Sequence, residues 1–284
     1  MGQLGIVRIA CLLALLLCAA APRAALCQTP SPLQEWQFSG GIILQSLFEP
    51  NLPPWRRVVG LSAELEPTYE GSKIYRVQGG PVIDIRYGSV AFISSGNGIG
   101  ANFVSGSHYR VGVAMGYDLG RPISDDPRQL RGLGYLSPAP VAKLFGEYVV
   151  AKQFPLVLRA DARQFIGGAD GAVGDLEAYL PLPGSSRKFV MFAGPSITYA
   201  DHLYLQKEFG VTRAQALASG DPQFEVHPGE NAEGVGFSAT AFLTKHWLLN
   251  LDAAIDRLRG SASDSPITQK PVQRAAELTI AYSW

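Results

Sequence analysis

The sequence predicts an all-β protein: a transmembrane antiparallel up-and-down β-barrel of about 12 strands (10–14). Three observations predict it. Apolar and polar residues alternate with period two in many short segments. The last such segment ends on an aromatic residue, Trp284. No uninterrupted apolar run after Gln28 approaches the roughly 18 residues of a membrane-spanning helix. Backbone can cross hydrocarbon only as a helix or a closed barrel, so insertion must be by strands.

The first 27 residues read as a secretion signal. Arg8 gives a positive start, and an uncharged, Leu-rich stretch runs from Ile9 to Ala21. Thirteen residues are too few to span a bilayer as a helix. Ala25-Leu26-Cys27 fits a small-x-small cleavage site, which divides the chain into a signal peptide at 1–27 and a barrel domain at 28–284. All three cysteines, Cys11, Cys18 and Cys27, fall within the signal. The remainder then has neither disulfide nor thiol chemistry. A formal net charge of zero gives no bulk attraction for nucleic acid.

The alternation is explicit in several places. Leu278, Ile280, Tyr282 and Trp284 interleave with Glu277, Thr279, Ala281 and Ser283. Trp247, Leu249, Leu251, Ala253 and Ile255 interleave with a face holding Asn250, Asp252 and Asp256. Leu158, Ala160 and Ala162 interleave with Arg159, Asp161 and Arg163, and Leu176 and Ala178 with Asp175, Glu177 and Tyr179. In a membrane barrel the apolar set meets lipid and the polar set lines the lumen. Arg159, Asp161, Arg163, Asp175, Glu177 and Asp252 are therefore candidate lumen residues. They serve either a polar pore or an interior ion-pair network.

Twelve strands are expected near 34–44, 57–66, 74–86, 90–104, 109–118, 140–150, 155–165, 172–181, 188–200, 233–243, 246–257 and 273–284. With both termini periplasmic, this count puts connections 45–56, 87–89, 119–139, 166–171, 201–232 and 258–272 outside the cell. Connections 67–73, 105–108, 151–154, 182–187 and 244–245 face the periplasm and are all short, as barrels of this kind require. Gly96-Asn97-Gly98-Ile99-Gly100 has no strand–loop–helix context for phosphate binding and reads as a tight turn or kink. The long connection 201–232 contains Thr212-Arg213-Ala214-Gln215, a capping box. It predicts one short helix from Arg213 to Ser219, stopped by Gly220.

Two loop segments carry a resemblance. The run from Phe209, Gly210, Val211 and Thr212 through Gln215 to Ser219 and Gly220 is similar to the signature loop of the MltA-interacting protein (MipA)/OmpV family. So is Arg257-Leu258-Arg259-Gly260-Ser261-Ala262-Ser263-Asp264-Ser265-Pro266-Ile267 before the last strand. Shorter matches are Pro67 to Ser72, Tyr117 to Arg121, and Tyr199-Ala200-Asp201. The chain departs from the family at Asp221-Pro222-Gln223-Phe224 and at Tyr135, and segment 34–44 has no family counterpart. The resemblance implies a non-enzymatic outer-membrane barrel without a cofactor. It also implies a scaffold that brings a murein lytic transglycosylase together with a murein synthase. Porins and adhesins are alternative roles implied by the family. Asp201, Tyr204, Phe209, Gly210, Val211, Thr212, Gln215, Ser219, Gly220, Arg257, Leu258, Asp264, Ser265 and Pro266 are the candidate recognition-loop residues. Turn and cap chemistry is the structural alternative for each.

Of the four histidines, His108, His202, His227 and His246, none stands at metal-ligand spacing from another. A lipid A or phospholipid hydrolase would need a histidine, such as His246, to meet Ser238 and an acid such as Asp252. Triads are recognised by geometry, so that is a question for the fold.

Overall fold

The computed structural model describes residues 54–106, 108–150, 156–186 and 188–284. The expected signal peptide and the expected strand 34–44 lie outside them. Twelve antiparallel strands close into one barrel. They are β1 (Trp55–Pro67), β2 (Tyr75–Tyr87), β3 (Ala91–Ser94), β4 (Gly98–Ser105), β5 (Tyr109–Asp118) and β6 (Ala139–Val149), then β7 (Val157–Phe165), β8 (Ala172–Pro181), β9 (Phe189–Ala200), β10 (Gly229–Phe242), β11 (Trp247–Leu258) and β12 (Val272–Ser283). Each strand pairs with its sequence neighbour, and β12 returns to β1 from Val58↔Ser283 to Leu65↔Ala276. Closure leaves no sheet edge in hydrocarbon.

One expectation about strands needs correction: the expected strand 90–104 is two strands, β3 and β4. Among the described residues β1 to β12 close the barrel. Gly98 explains the break. Its φ is +75°, and a Cβ there would stand 2.2 Å from the carbonyl oxygen of Met115. Only glycine fits this corner without strain. The total stays at twelve, but the polarity of the first connections inverts. The 68–74 connection moves to the long-loop end and the 88–90 connection to the short-turn end. From β5 onward the sides are as the sequence predicts.

The period-two pattern resolves into two surfaces. Leu251, Ile255, Leu278 and Ile280 are about half exposed on the outside, while Asn250, Asp252, Glu277 and Thr279 are buried inside. Trp55, Tyr87, Tyr109, Tyr148, Trp247 and Trp284 stand exposed at the short-turn end. Their amphipathic rings suit a membrane interface, and together they form a girdle. Tyr282 joins it, in contact with the rings of His246, Trp247 and Trp284.

The outer face sets a clear expectation. Leu251 pairs directly with Leu278 near the middle of β11 and β12. Leu251→Arg should destabilise the folded barrel by about 2–4 kcal/mol, the cost of a cationic side chain at bilayer mid-depth. Urea unfolding in phospholipid vesicles measures it; an unchanged midpoint would contradict the lipid-facing assignment.

Candidate functional site: a capped lumen

At the long-loop end the connections do not stay open. They fold into a cap built on three short helices: α1 (His202–Glu208), α2 (Arg213–Ser219) and α3 (Gly260–Asp264). The N-terminus of α1 is capped by Asp201, whose Oδ1 accepts from the Tyr204 backbone N–H at 2.8 Å. The predicted helix Arg213–Ser219 is α2, with its capping box formed: Thr212 Oγ1 accepts from Gln215 N, and Gln215 Oε1 from Thr212 N. Gly220 ends it at φ +88°.

Two apolar clusters hold the cap. One joins Tyr69, Leu130, Leu133, Val211 and Ile267 from four separate connections. The other packs Leu205, Phe209, Val226 and Ala262 against the inner wall at Val141, Phe165, Val173 and Leu258. Polar ties link the two signature loops to each other and to the β5–β6 connection. Ser265 Oγ donates to the Phe209 carbonyl at 2.6 Å, and Gln129 Nε2 donates to the Pro266 carbonyl at 3.0 Å. The Gln215 amide donates to the Leu133 carbonyl. Most of the candidate loop residues thus build the cap. Phe209, Val211, Leu258 and Ser265 are buried in it, Thr212, Gln215, Ser219 and Gly220 shape α2, and Gly210 lies against the Gln206 side chain. Arg257 and Asp264 stay exposed.

Beneath the cap lies a lumenal cavity of ≈ 330 Å³. All six candidate lumen residues are inside the barrel. Five of them form a continuous ion-pair belt across β7 and β8. Arg159 meets Asp161 at 3.4 Å and Glu177 at 3.9 Å; Arg163 meets Asp161 at 3.4 Å and also Asp175. These contacts are interior ion pairs on one wall of the barrel. The sixth, Asp252, lies elsewhere. Glu64, Glu277 and Asp252 oppose one another across β1, β12 and β11, with Ser238 next in line on β10. Like charges opposed across a sheet repel, so neighbouring polar groups must support this row. Among them, Thr279 Oγ1 lies 3.4 Å from Glu277, and Asn250 Nδ2 donates to Ser238 and Thr240.

Residues beyond the sequence-based candidates close the mouth. Arg121 is buried, donates to the Glu208 carbonyl and carboxylate, and stands 6.0 Å over the Tyr69 ring. Glu70 accepts from Asn231 Nδ2 at 2.8 Å and from Tyr204 Oη at 3.5 Å. Burial pushes the Glu208 carboxyl up to about 7; Arg121 opposes the rise and Glu70 adds to it. Burial raises Glu70 as well. Glu70 and Arg121 lie in the shorter family-like matches, a signal present in the sequence, but nothing local shows that the barrel brings them together. The hydrolase arrangement does not assemble. Ser238 and Asp252 are register partners in the lumen, whereas His246 sits in the β10–β11 turn, bonded to the Ser283 carbonyl and stacked on Tyr282.

The family model for MltA-interacting protein MipA matches residues 59–284. The chain belongs to the MipA family. Its barrel is an outer-membrane barrel. No curated protein sequence matches the chain. Solved structures with some likeness include Pseudomonas putida OprB at high pH, with 10% identity, a TM-score of 0.36, and coverage of 72% of this chain and 49% of that one. The outer-membrane protein OprD from Pseudomonas aeruginosa gives 11%, 0.36, and 80% against 65%. The CymD monoaromatic hydrocarbon channel gives 10%, 0.39, and 89% against 93%. The chain thus spans about half of the OprB length and about two thirds of that of OprD.

The mouth's acids give the cap a pH response. A carboxylate whose folded pKa is raised above its unfolded value holds its proton more tightly when folded. Stability is then greatest below the unfolded value, near 4.5, and falls as pH rises through about 7. Hydrogen exchange in α1 and α2, corrected for intrinsic rates, should show less protection at pH 8 than at pH 5. Glu208→Gln should remove much of that difference; an unchanged difference would contradict the assignment.

Proposed function

We propose that this chain is a non-enzymatic outer-membrane docking protein, a scaffold through which a murein-degrading lytic transglycosylase, and with it a murein synthase, is held at the envelope. The family name speaks of interaction with MltA. The observation that carries the reading is the cap. Its helices and connections share apolar cores across the barrel mouth, and an ion-pair belt braces the wall below. A mouth closed by cross-linked loops speaks against free passage and for a barrel that serves as an anchor in the membrane. Export to the periplasm with removal of residues 1–27 belongs to the same reading.

Long loops of such barrels face outward and short turns face the periplasm. A murein enzyme would meet the short-turn end, where β1 also begins. Such turns alone offer little toward the roughly 800 Å² per partner of a standard interface. A second reading, a passive small-molecule pore, is favoured by the cavity of ≈ 330 Å³ in the lumen.

Two measurements separate these. The purified chain, immobilised in detergent, should enrich a murein lytic transglycosylase from a periplasmic extract relative to an unrelated barrel of similar size. Equal recovery on both would overturn the docking reading. In planar bilayers the docking reading expects no stable conductance steps; reproducible single-channel openings would favour the pore.

A further inference from the structure

The lumenal cavity has a chemical character that docking of a protein partner does not use. Its lining holds more acidic than basic side chains. Three of the arginines around it are engaged in ion pairs: Arg76 with Glu66 and Asp125, Arg121 with Glu208, Arg163 with Asp161 and Asp175; the lining also holds Lys143 and Arg274. Glu70 is held instead by neutral groups, the Asn231 amide and the Tyr204 hydroxyl. Asp256 faces inward over Gly234, and among the described residues no basic group forms an ion pair with it. The Oδ1 atom of Asn231, a residue only 2% exposed, accepts no hydrogen bond among the described residues. Its amide nitrogen is committed to Glu70, so this oxygen is left as a buried acceptor without a donor beside the cavity. A buried acceptor without a donor costs about 1–3 kcal/mol, which an N–H group from a ligand would recover.

The opposite part of the lining is hydrocarbon, from Val141, Phe165 and Val173. Among the described residues no group of three or more His, Cys, Asp or Glu is arranged to hold a metal ion. Acceptors on one side and an apolar wall on the other suit a cation with a carbon body. The volume lies within the usual range of small-ligand pockets. The geometry points to the capped lumen as a binding site for a small organic ammonium ion, with Glu70, Asp256 and Asn231 Oδ1 receiving its N–H groups and Val141, Phe165 and Val173 covering its alkyl part. This inference stands apart from docking, since a murein enzyme could bind with the chamber empty or filled.

Isothermal titration calorimetry on the full chain in zwitterionic detergent tests it. The probe is 1,5-diaminopentane, with 1,5-pentanediol as a neutral match and magnesium chloride as an inorganic cation. Saturable binding of the diamine is expected, with none of the diol. Glu70→Gln and Asp256→Asn should each weaken the diamine about tenfold or more, the effect of losing one charge-assisted hydrogen bond. No saturable diamine binding, equal binding of the diol, or diamine affinity unchanged in both variants would overturn the assignment. Binding of magnesium that blocks the diamine and depends on the same two carboxylates would replace it with a metal site. Heat-modifiable migration in gels confirms that each variant is folded. If either carboxylate variant fails that check, Asn231→Ala, with diamine against diol on the unaltered chain, decides by the same criteria.

Discussion

Hydrocarbon offers no hydrogen bonds. Every backbone N–H and C=O that crosses it must therefore find a partner in the protein, and an unpaired one costs several kcal/mol. The β1–β12 ladder meets that demand by turning an open sheet into a barrel. Once the sheet is closed, each strand has only two environments to offer its side chains. One is lipid and the other is an enclosed interior. The period-two alternation, the aromatic girdle at the short-turn end and the buried charges all follow from that partition.

The interior has to solve a different problem. Polar side chains facing inward are shielded from bulk water, so charges there need partners. The wall at β7 and β8 answers with arginines set between acids. The wall at β1, β12 and β11 instead sets three carboxylates side by side, supported by hydroxyl and amide groups. The cap closes the mouth with apolar cores and with the Arg121–Glu208 pair. The lumen is thus divided into a braced wall and a chamber whose acids exceed its bases.

Much of this fold was legible in the sequence because a strand's side-chain period is a local property. The inward set on β11, Asn250, Asp252 and Asp256, could be read without any partner strand. The α2 boundaries were legible for the same reason, since a capping box and a terminal glycine are short-range signals. The break at Gly98 was not, because the reason for it is the approach of Met115 from a neighbouring strand. The chamber was hidden on the same grounds. Glu70 and Asn231 are 161 residues apart, and Glu70 and Tyr204 are 134 apart. The signature loops showed themselves as a pattern of residues, but their work in the structure is largely cap construction. That is a tertiary fact, set by Ser265 reaching Phe209 and Gln129 reaching Pro266.

The partition between lipid and interior can be tested directly, one residue at a time. Beyond residue 27 the chain contains no cysteine, so single spin labels can be placed at successive positions from 248 to 255 on β11. Paramagnetic resonance in vesicles then reads collision with oxygen, which concentrates in lipid, at each site. Labels at Leu249, Leu251, Ala253 and Ile255 should show high oxygen access, and labels at Asn250, Asp252 and Ala254 low access, with a period of two. Uniform access along the strand, or high access at Asp252 and low at Leu251, would contradict the account.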